Sequence, residues 1–172
     1  MLNAKLEKAL NNQINEEFYS SYLYLSMSAW FESKSLIGFA NWMKLQSKEE
    51  YQHAEKFYNY VFTKGGQVTL APIAQPKTQW KSVLDAFENT LEHERHITKC
   101  VNDLVDLALA EKDHATGAFL QWFVNEQVEE EANATKILDD LKMIGENSYG
   151  IFMLDREMGA RKPEAEAAAA KE

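Results

Sequence analysis

Glu17, Glu50, Glu94 and Glu130 each stand near the middle of a long segment with helical apolar periodicity, at a position where that period demands an apolar side chain. His53 follows Glu50 by one helical turn, so the two share a face as Glu-x-x-His. Buried carboxylates without partners are costly, and four facing one another would take up protons or force their segments apart. No lysine or arginine occupies the facing stripe positions, so ion pairing is not the remedy. Two divalent cations would neutralise the set. An oxygen-rich group of donors with one imidazole and no thiolate suits iron or manganese better than structural zinc. Tyr24 lies two turns beyond Glu17 on the same stripe and needs a hydrogen-bond partner if buried. Packing alone and a role beside a metal-bound carboxylate both fit it.

Other matches are weaker. Glu111-x-x-His114 has the right spacing but straddles a turn between two segments. His93 and His96 flank the stripe and are expected to face solvent. Cys100 falls off the stripe and reads as a small packing residue, as do Trp30, Trp42, Trp80 and Trp122 as large ones. Glu126, Glu129 and Glu130 share one side of a helix, and Glu49 leans off the seam by roughly 100° from Glu50. These four acids could hold a further cation or form a solvated acidic face.

The elements that position these residues follow from few breakers and long periods. Seven glycines and three prolines leave long uninterrupted stretches. Helices are predicted at roughly 3–33, 37–64, 81–110 and 114–143, with a short fifth near 147–159. Gly65-Gly66 stops the second, Asp113 with Thr116 starts the fourth, and Gly145 ends it. Stripes at alternating steps of four and three run through each helix, for example Leu6, Leu10, Gln13, Glu17, Ser20, Tyr24, Met27 and Phe31 in the first. Such stripes trace the inward seam of a bundle. A helix midpoint keeps its height whichever way the helix runs, so the four acids fall in one layer. The stretch 65–80 could reach about 50 Å at ~3.3 Å per residue, and the second helix is about 42 Å long at ~1.5 Å per residue. It can therefore run the bundle's length and make helices two and three parallel. The expected fold is all-α: a four-helix bundle with one long crossover and a short fifth C-terminal helix. Residues 1–160 form one domain, and 161–172 are expected to be a mobile tail.

Bulk properties narrow the class. With 172 residues and 45 % hydrophobic content the chain suits one domain with one sizeable core. A formal charge of −9 argues against nucleic-acid binding and for attraction of cations. The single cysteine asks for no oxidising compartment. No stretch reaches the ~18 apolar residues of a membrane span, and the start does not look like a signal peptide. The expected location is the cytoplasm.

At these residues the sequence resembles the bacterial non-haem ferritins. The matching stretches are Asn15-Glu-Glu-Phe-Tyr-Ser-Ser-Tyr-Leu-Tyr, Glu49-Glu-Tyr-Gln-His-Ala, Glu92-His-Glu-Arg-His-Ile and Phe119-Leu-Gln-Trp-Phe-Val-Asn-Glu-Gln-Val-Glu-Glu-Glu. The resemblance implies that Glu17, Glu50 and His53 bind one iron and that Glu50, Glu94 and Glu130 bind a second. It implies a weak-ligand or hydrogen-bonding role for Gln127, and makes Tyr24 the tyrosine beside the centre. A third iron site from Glu49, Glu126, Glu129 and Glu130 is implied as well. So are oxidation of iron(II) by dioxygen or hydrogen peroxide and storage of a ferric mineral in a hollow twenty-four-subunit shell. No haem is expected: Gln52 stands where the haem-binding relatives carry methionine. Asn133 replaces the histidine of a second Glu-x-x-His. The rival readings are a di-iron oxygenase or peroxidase on the same fold, and a plain helical bundle whose polar core fixes register.

Overall fold

A computed structural model describes residues 2–163. Its helices are α1 Ala4–Ser33, α2 Ile37–Thr63, α3 Val83–Ala110, α4 His114–Ile144 and α5 Ser148–Met158. Caps set most of the boundaries. Asn3, Ser82, Asp113 and Asn147 each accept a hydrogen bond from a backbone N–H in the first turn of the helix that follows. Gly65 and Gly145, both at positive φ, follow the ends of α2 and α4.

The crossover lies along α1. Asn11 Nδ2 donates to Gln67 O at 2.9 Å, Thr69 N donates to Asn11 Oδ1 at 2.7 Å, and Ser26 Oγ donates to Lys77 O at 2.7 Å. Trp80 then meets Trp30 edge-on, with ring centroids 5.7 Å apart. The linker thus starts beside the first turns of α1 and finishes near its last, which carries the chain from one end of the bundle to the other. Helices α2 and α3 run parallel as a result, as the linker's reach predicts. At the far end Lys5 of α1 pairs with Glu111, the residue after α3, at 2.7 Å.

The core is split in two. One apolar lobe gathers Phe31, Phe39, Met43, Phe87, Leu141, Leu154 and their neighbours. The other gathers Leu6, Leu10, Phe57, Ile97, Val101, Leu120 and Phe123. Polar side chains, all buried, fill the layer between the lobes: Gln13, Glu17, Gln46, Glu50, His53, Glu94, Gln127 and Glu130. Every stripe residue expected in α1 is buried. In α3 the steps of four and three through Glu94 mark Phe87, Leu91, Thr98, Val101, Val105 and Ala108, but the buried face is wider and takes in His93, Ile97 and Leu104, while Thr98 and Val105 are only partly covered.

Helix α5 closes one end. Leu154 and Met158 are buried in the first lobe, and Ile151 packs partly against it. Phe39 N donates to Asp155 Oδ1 at 3.0 Å. Phe152 and Met153 remain half exposed. Of the four apolar residues from 151 to 154, then, two pack on the chain's own bundle and two face outward. Residues 164–172, most of the expected tail, lie outside the described residues.

Candidate metal centre

Each of the four long helices brings one glutamate into the polar layer, because each acid takes the place of an apolar residue on an inward stripe. Side-chain oxygens of Glu17 and Glu50 and a ring nitrogen of His53 all lie within 4.8 Å of one another. His53 Nδ1 is 3.2 Å from Glu50 Oε2. Its Nε2 faces Glu126 Oε1 at 3.7 Å, so Nδ1 is the nitrogen directed at the centre. Gln46 Nε2 donates to Glu50 Oε1 at 3.2 Å and to Glu130 Oε2 at 2.7 Å, tying α2 to α4. On the other side Gln127 Nε2 donates to Glu94 Oε2 at 3.1 Å. Tyr24 OH donates to Glu94 Oε1. Gln13 Nε2 holds Glu17 Oε1 at 2.9 Å. Glu17 Oε2 has no hydrogen-bond partner among the described residues, although it is buried.

Electrostatics record the strain of this packing. Burial, with the Glu50 charge added, pushes the Glu17 and Glu94 carboxyls up to about 8. Burial also drives Glu130 well above the ordinary carboxylate range, with the charges of Glu94 and Glu50 behind it. Glu50 is the exception. Burial pushes it up, but the hydrogen bond and positive charge of His53 and the Gln46 amide outweigh that and hold it below its ordinary value. Burial would lower His53, yet the Glu50 hydrogen bond and charge carry it to about 9. Burial, and then the Glu94 charge, raise the Tyr24 phenol far above its ordinary range, so it stays a hydrogen-bond donor. Without cations the layer holds its charge down by keeping protons. An orphaned buried carboxylate oxygen beside a carboxylate and an imidazole has the chemistry of a metal ligand. The donor set fits a pair of divalent cations with hard or borderline preference.

The outer acids are arranged less tightly. Glu49 is buried and ion-pairs with Arg161 Nη2. Glu126 stands beside His53, and Glu129 is exposed. Arg161 also donates to Gln46 Oε1 at 2.9 Å and lies over the Trp42 ring. This arginine follows α5, in the stretch assigned from sequence to a tail, and nothing in its local pattern marked it. Gln46 stands one turn before Glu50, so its place on the inward stripe of α2 follows from the sequence, but its bridging of two acids does not. His93, expected in solvent, is buried, and its Nε2 is 2.7 Å from Ser20 Oγ. The wider buried face of α3 is the cause, and burial pushes its imidazole down to about 4. Trp30, Trp42 and Trp80 are buried as expected, whereas Trp122 is 40 % exposed and lies under the Lys56 ammonium. Glu111 and His114 sit on either side of a turn, away from the layer. Gln52 and Asn133 are exposed.

The ferritin-like domain family matches residues 7–144. The chain belongs to the ferritin family. It is similar to a bacterial non-heme ferritin of Bacteroides fragilis, with 48 % identity covering 94 % of this chain and all of that one. A bacterial non-heme ferritin of Campylobacter jejuni is 44 % identical over 91 % of this chain and 93 % of its own. Among solved structures, an open pore ferritin from the hyperthermophilic archaeon Archaeoglobus fulgidus superposes with a TM-score of 0.93 at 48 % identity. The match covers 94 % of this chain and the whole of that one. Iron storage with ferroxidase activity is the general function of this ferritin family, and this chain is an iron storage protein of it. No helix among the described residues is long and apolar enough to cross a membrane.

Proposed function

We propose that this ferritin oxidises iron(II) at the buried layer and passes the iron(III) product to a mineral inside a closed twenty-four-subunit shell in the cytoplasm. The carrying observation is the convergence of four buried glutamates and one buried histidine from four helices, with one carboxylate oxygen lacking any partner among the described residues. Glu17, Glu50 and His53 would hold one iron(II), and Glu50, Glu94 and Glu130 the other. Each ion gives up one electron to dioxygen or peroxide. The chain supplies the ligand geometry and the charge, and the redox chemistry belongs to iron. Glu50, already anionic, is suited to bridge the two ions. Tyr24 and Gln127 both hydrogen-bond Glu94 and fix its orientation toward the second ion.

A third cation between Glu49, Glu126, Glu129 and Glu130 must compete with the Arg161 guanidinium for Glu49. It would bear on the onward passage of iron rather than on the first oxidation step.

Aerobic iron(II) titration of the assembled protein tests the reading. Many irons retained per chain, with fast oxidation lost in Glu50→Ala, is the expected result. Saturation at about two irons would instead favour an oxygenase-like centre. Uptake of none would leave a plain bundle. Oxidation by Glu50→Ala at the parent rate would put the site elsewhere.

A further inference from the structure

A second set of metal-binding side chains lies on the other side of α1. Glu16 is turned by ~100° from Glu17, so it leaves the buried layer and meets α3 near the surface. There it faces His96 and Cys100, which are four residues apart and share one face of α3. His96 Nε2 is 2.9 Å from Glu16 Oε2 and 3.6 Å from Cys100 Sγ. One donor atom from each of the three lies within 4.8 Å of the other two. The side chains of His96 and Glu16 are 51 % and 36 % exposed, so a cation and a water can reach them.

We propose that Glu16, His96 and Cys100 form a second cation site, separate from the buried layer, that takes zinc or a similar borderline divalent ion with water as the fourth ligand. A surface ion pair with a partly buried cysteine packed beside it is the bland reading, and it leaves the thiol competing with the carboxylate for one nitrogen. The same imidazole nitrogen faces both the carboxylate and the thiol, and it can share only one proton with them. A cation placed among the three satisfies all of them. The spacing agrees: tetrahedral zinc with ordinary Zn–N and Zn–S bonds sets nitrogen and sulfur about 3.6 Å apart. The nitrogen–oxygen edge of the same tetrahedron is about 3.3 Å, so Glu16 needs to retreat by only ~0.4 Å. One carboxylate, one imidazole and one thiolate form a softer set than that of the buried layer, which has no sulfur. Burial, together with the nearby Glu16 and Asp103 charges, pushes the Cys100 thiol up to about 11, so it keeps its proton until a cation displaces it to solvent.

Cobalt(II) added to the reduced, metal-free full-length assembly without oxygen is the probe. Cys100 is the only cysteine in the sequence, so a thiolate-to-cobalt charge-transfer band can arise only there, whatever the buried layer binds. The expected result is one such band, saturating at one cobalt per chain and bleached by excess zinc. Cys100→Ser should abolish it and Glu50→Ala should keep it. His96→Ala and Glu16→Ala should each weaken cobalt binding about tenfold or more, since even indirect partners of a metal are worth that much. Circular dichroism checks that these surface variants stay folded. A parent without the band, a band lost in Glu50→Ala, or affinity changed less than tenfold by His96→Ala would overturn the proposal.

Discussion

On the proposed reading, the buried acids hold protons that they would give up on binding iron. At neutral pH Glu17 and Glu94, both at about 8, and His53, at about 9, are largely protonated. Anaerobic calorimetry in buffers of different ionisation enthalpy should therefore show release of more than one proton per iron(II) bound at pH 7. Binding without proton release would contradict the electrostatics of the site. The same groups set the pH dependence of the metal-free fold. Their carboxyls keep protons that the unfolded chain has lost between its ordinary value of 4.5 and about 8, and His53 does so between 6.5 and about 9. The stabilisation is present in full below those unfolded values and is lost as pH rises through the folded ones. Glu50 and His93, both shifted downward, act in the opposite sense: Glu50 only at the acid end, and His93 between about 4 and 6.5, where it offsets part of the fall. The metal-free melting temperature should fall between about pH 5 and pH 9, and Glu17→Gln should flatten that fall. A melting temperature that climbs over the same range would contradict it. At this scale the sequence was readable where chemistry and period conflict. Glutamate on an apolar stripe is a contradiction that only a cation or a proton resolves, so Glu17, Glu50, Glu94, Glu130 and His53 stood out. Arg161 could not be seen, because its contacts with Glu49 and Gln46 depend on where the chain goes after α5. Removing it should test its part: Arg161→Ala should leave the first rapid oxidation within about twofold of the parent and strengthen binding of a third cation, read by anomalous scattering. A loss of the two inner iron peaks instead would make Arg161 part of the primary centre.

Helix boundaries were legible because local signals and tertiary packing agree. Asp113 caps α4 and Gly145 ends it at positive φ, as their residue types require. The face of α3 was harder, because a seam read at steps of four and three is narrower than the stripe a packed helix buries. His93 and Leu104 fall on that extra width. The docking of α5 was not readable at all, since it depends on a close approach that a sequence does not announce. A Cβ on Gly38 would stand 1.5 Å from the Asp155 carbonyl oxygen and 2.9 Å from Gly159 N, both backbone atoms that cannot swing aside. Gly38→Ala should therefore push α5 off α2 and destabilise the fold by about 1–3 kcal/mol. Gly117, where a Cβ meets nothing within 4 Å, is the control. Gly117→Ala should be neutral or stabilising by roughly 0.5–1 kcal/mol in chemical denaturation. Equal stability of the two variants would mean that the α2–α5 contact is not maintained in solution.

At the scale of the whole molecule, the chain exposes more apolar surface at one end than a solitary domain needs. Met143 is 87 % exposed and Tyr149 69 %, and Phe152 and Met153 lie beside them. A broad groove lined by Met143, Ile144, Tyr149 and Met153 has charged side chains at its edge, including Lys136, Asp140, Arg156 and Glu157. Apolar ground with a polar rim is what a subunit interface looks like when its partner is removed. A fifth helix of 11 residues is too short to be stable for its own sake, and it carries three of these exposed apolar residues, Tyr149, Phe152 and Met153. Opposing this attraction is a net charge of −9 per chain, which repeats with every copy in a shell. Assembly through α5 would be a balance between its contacts and long-range repulsion, and salt should favour the assembled side by screening the repulsion. Sedimentation of the parent should show a closed shell of many copies in physiological salt. Phe152→Ser combined with Met153→Ser weakens only the attractive side. The double variant should dissociate toward small species at low ionic strength, recover part of the shell as salt is raised, and keep its helical content throughout. A parent that sediments only as monomer or dimer across the neutral range would defeat the shell, and a double variant that assembles like the parent at every salt would take α5 out of the interface.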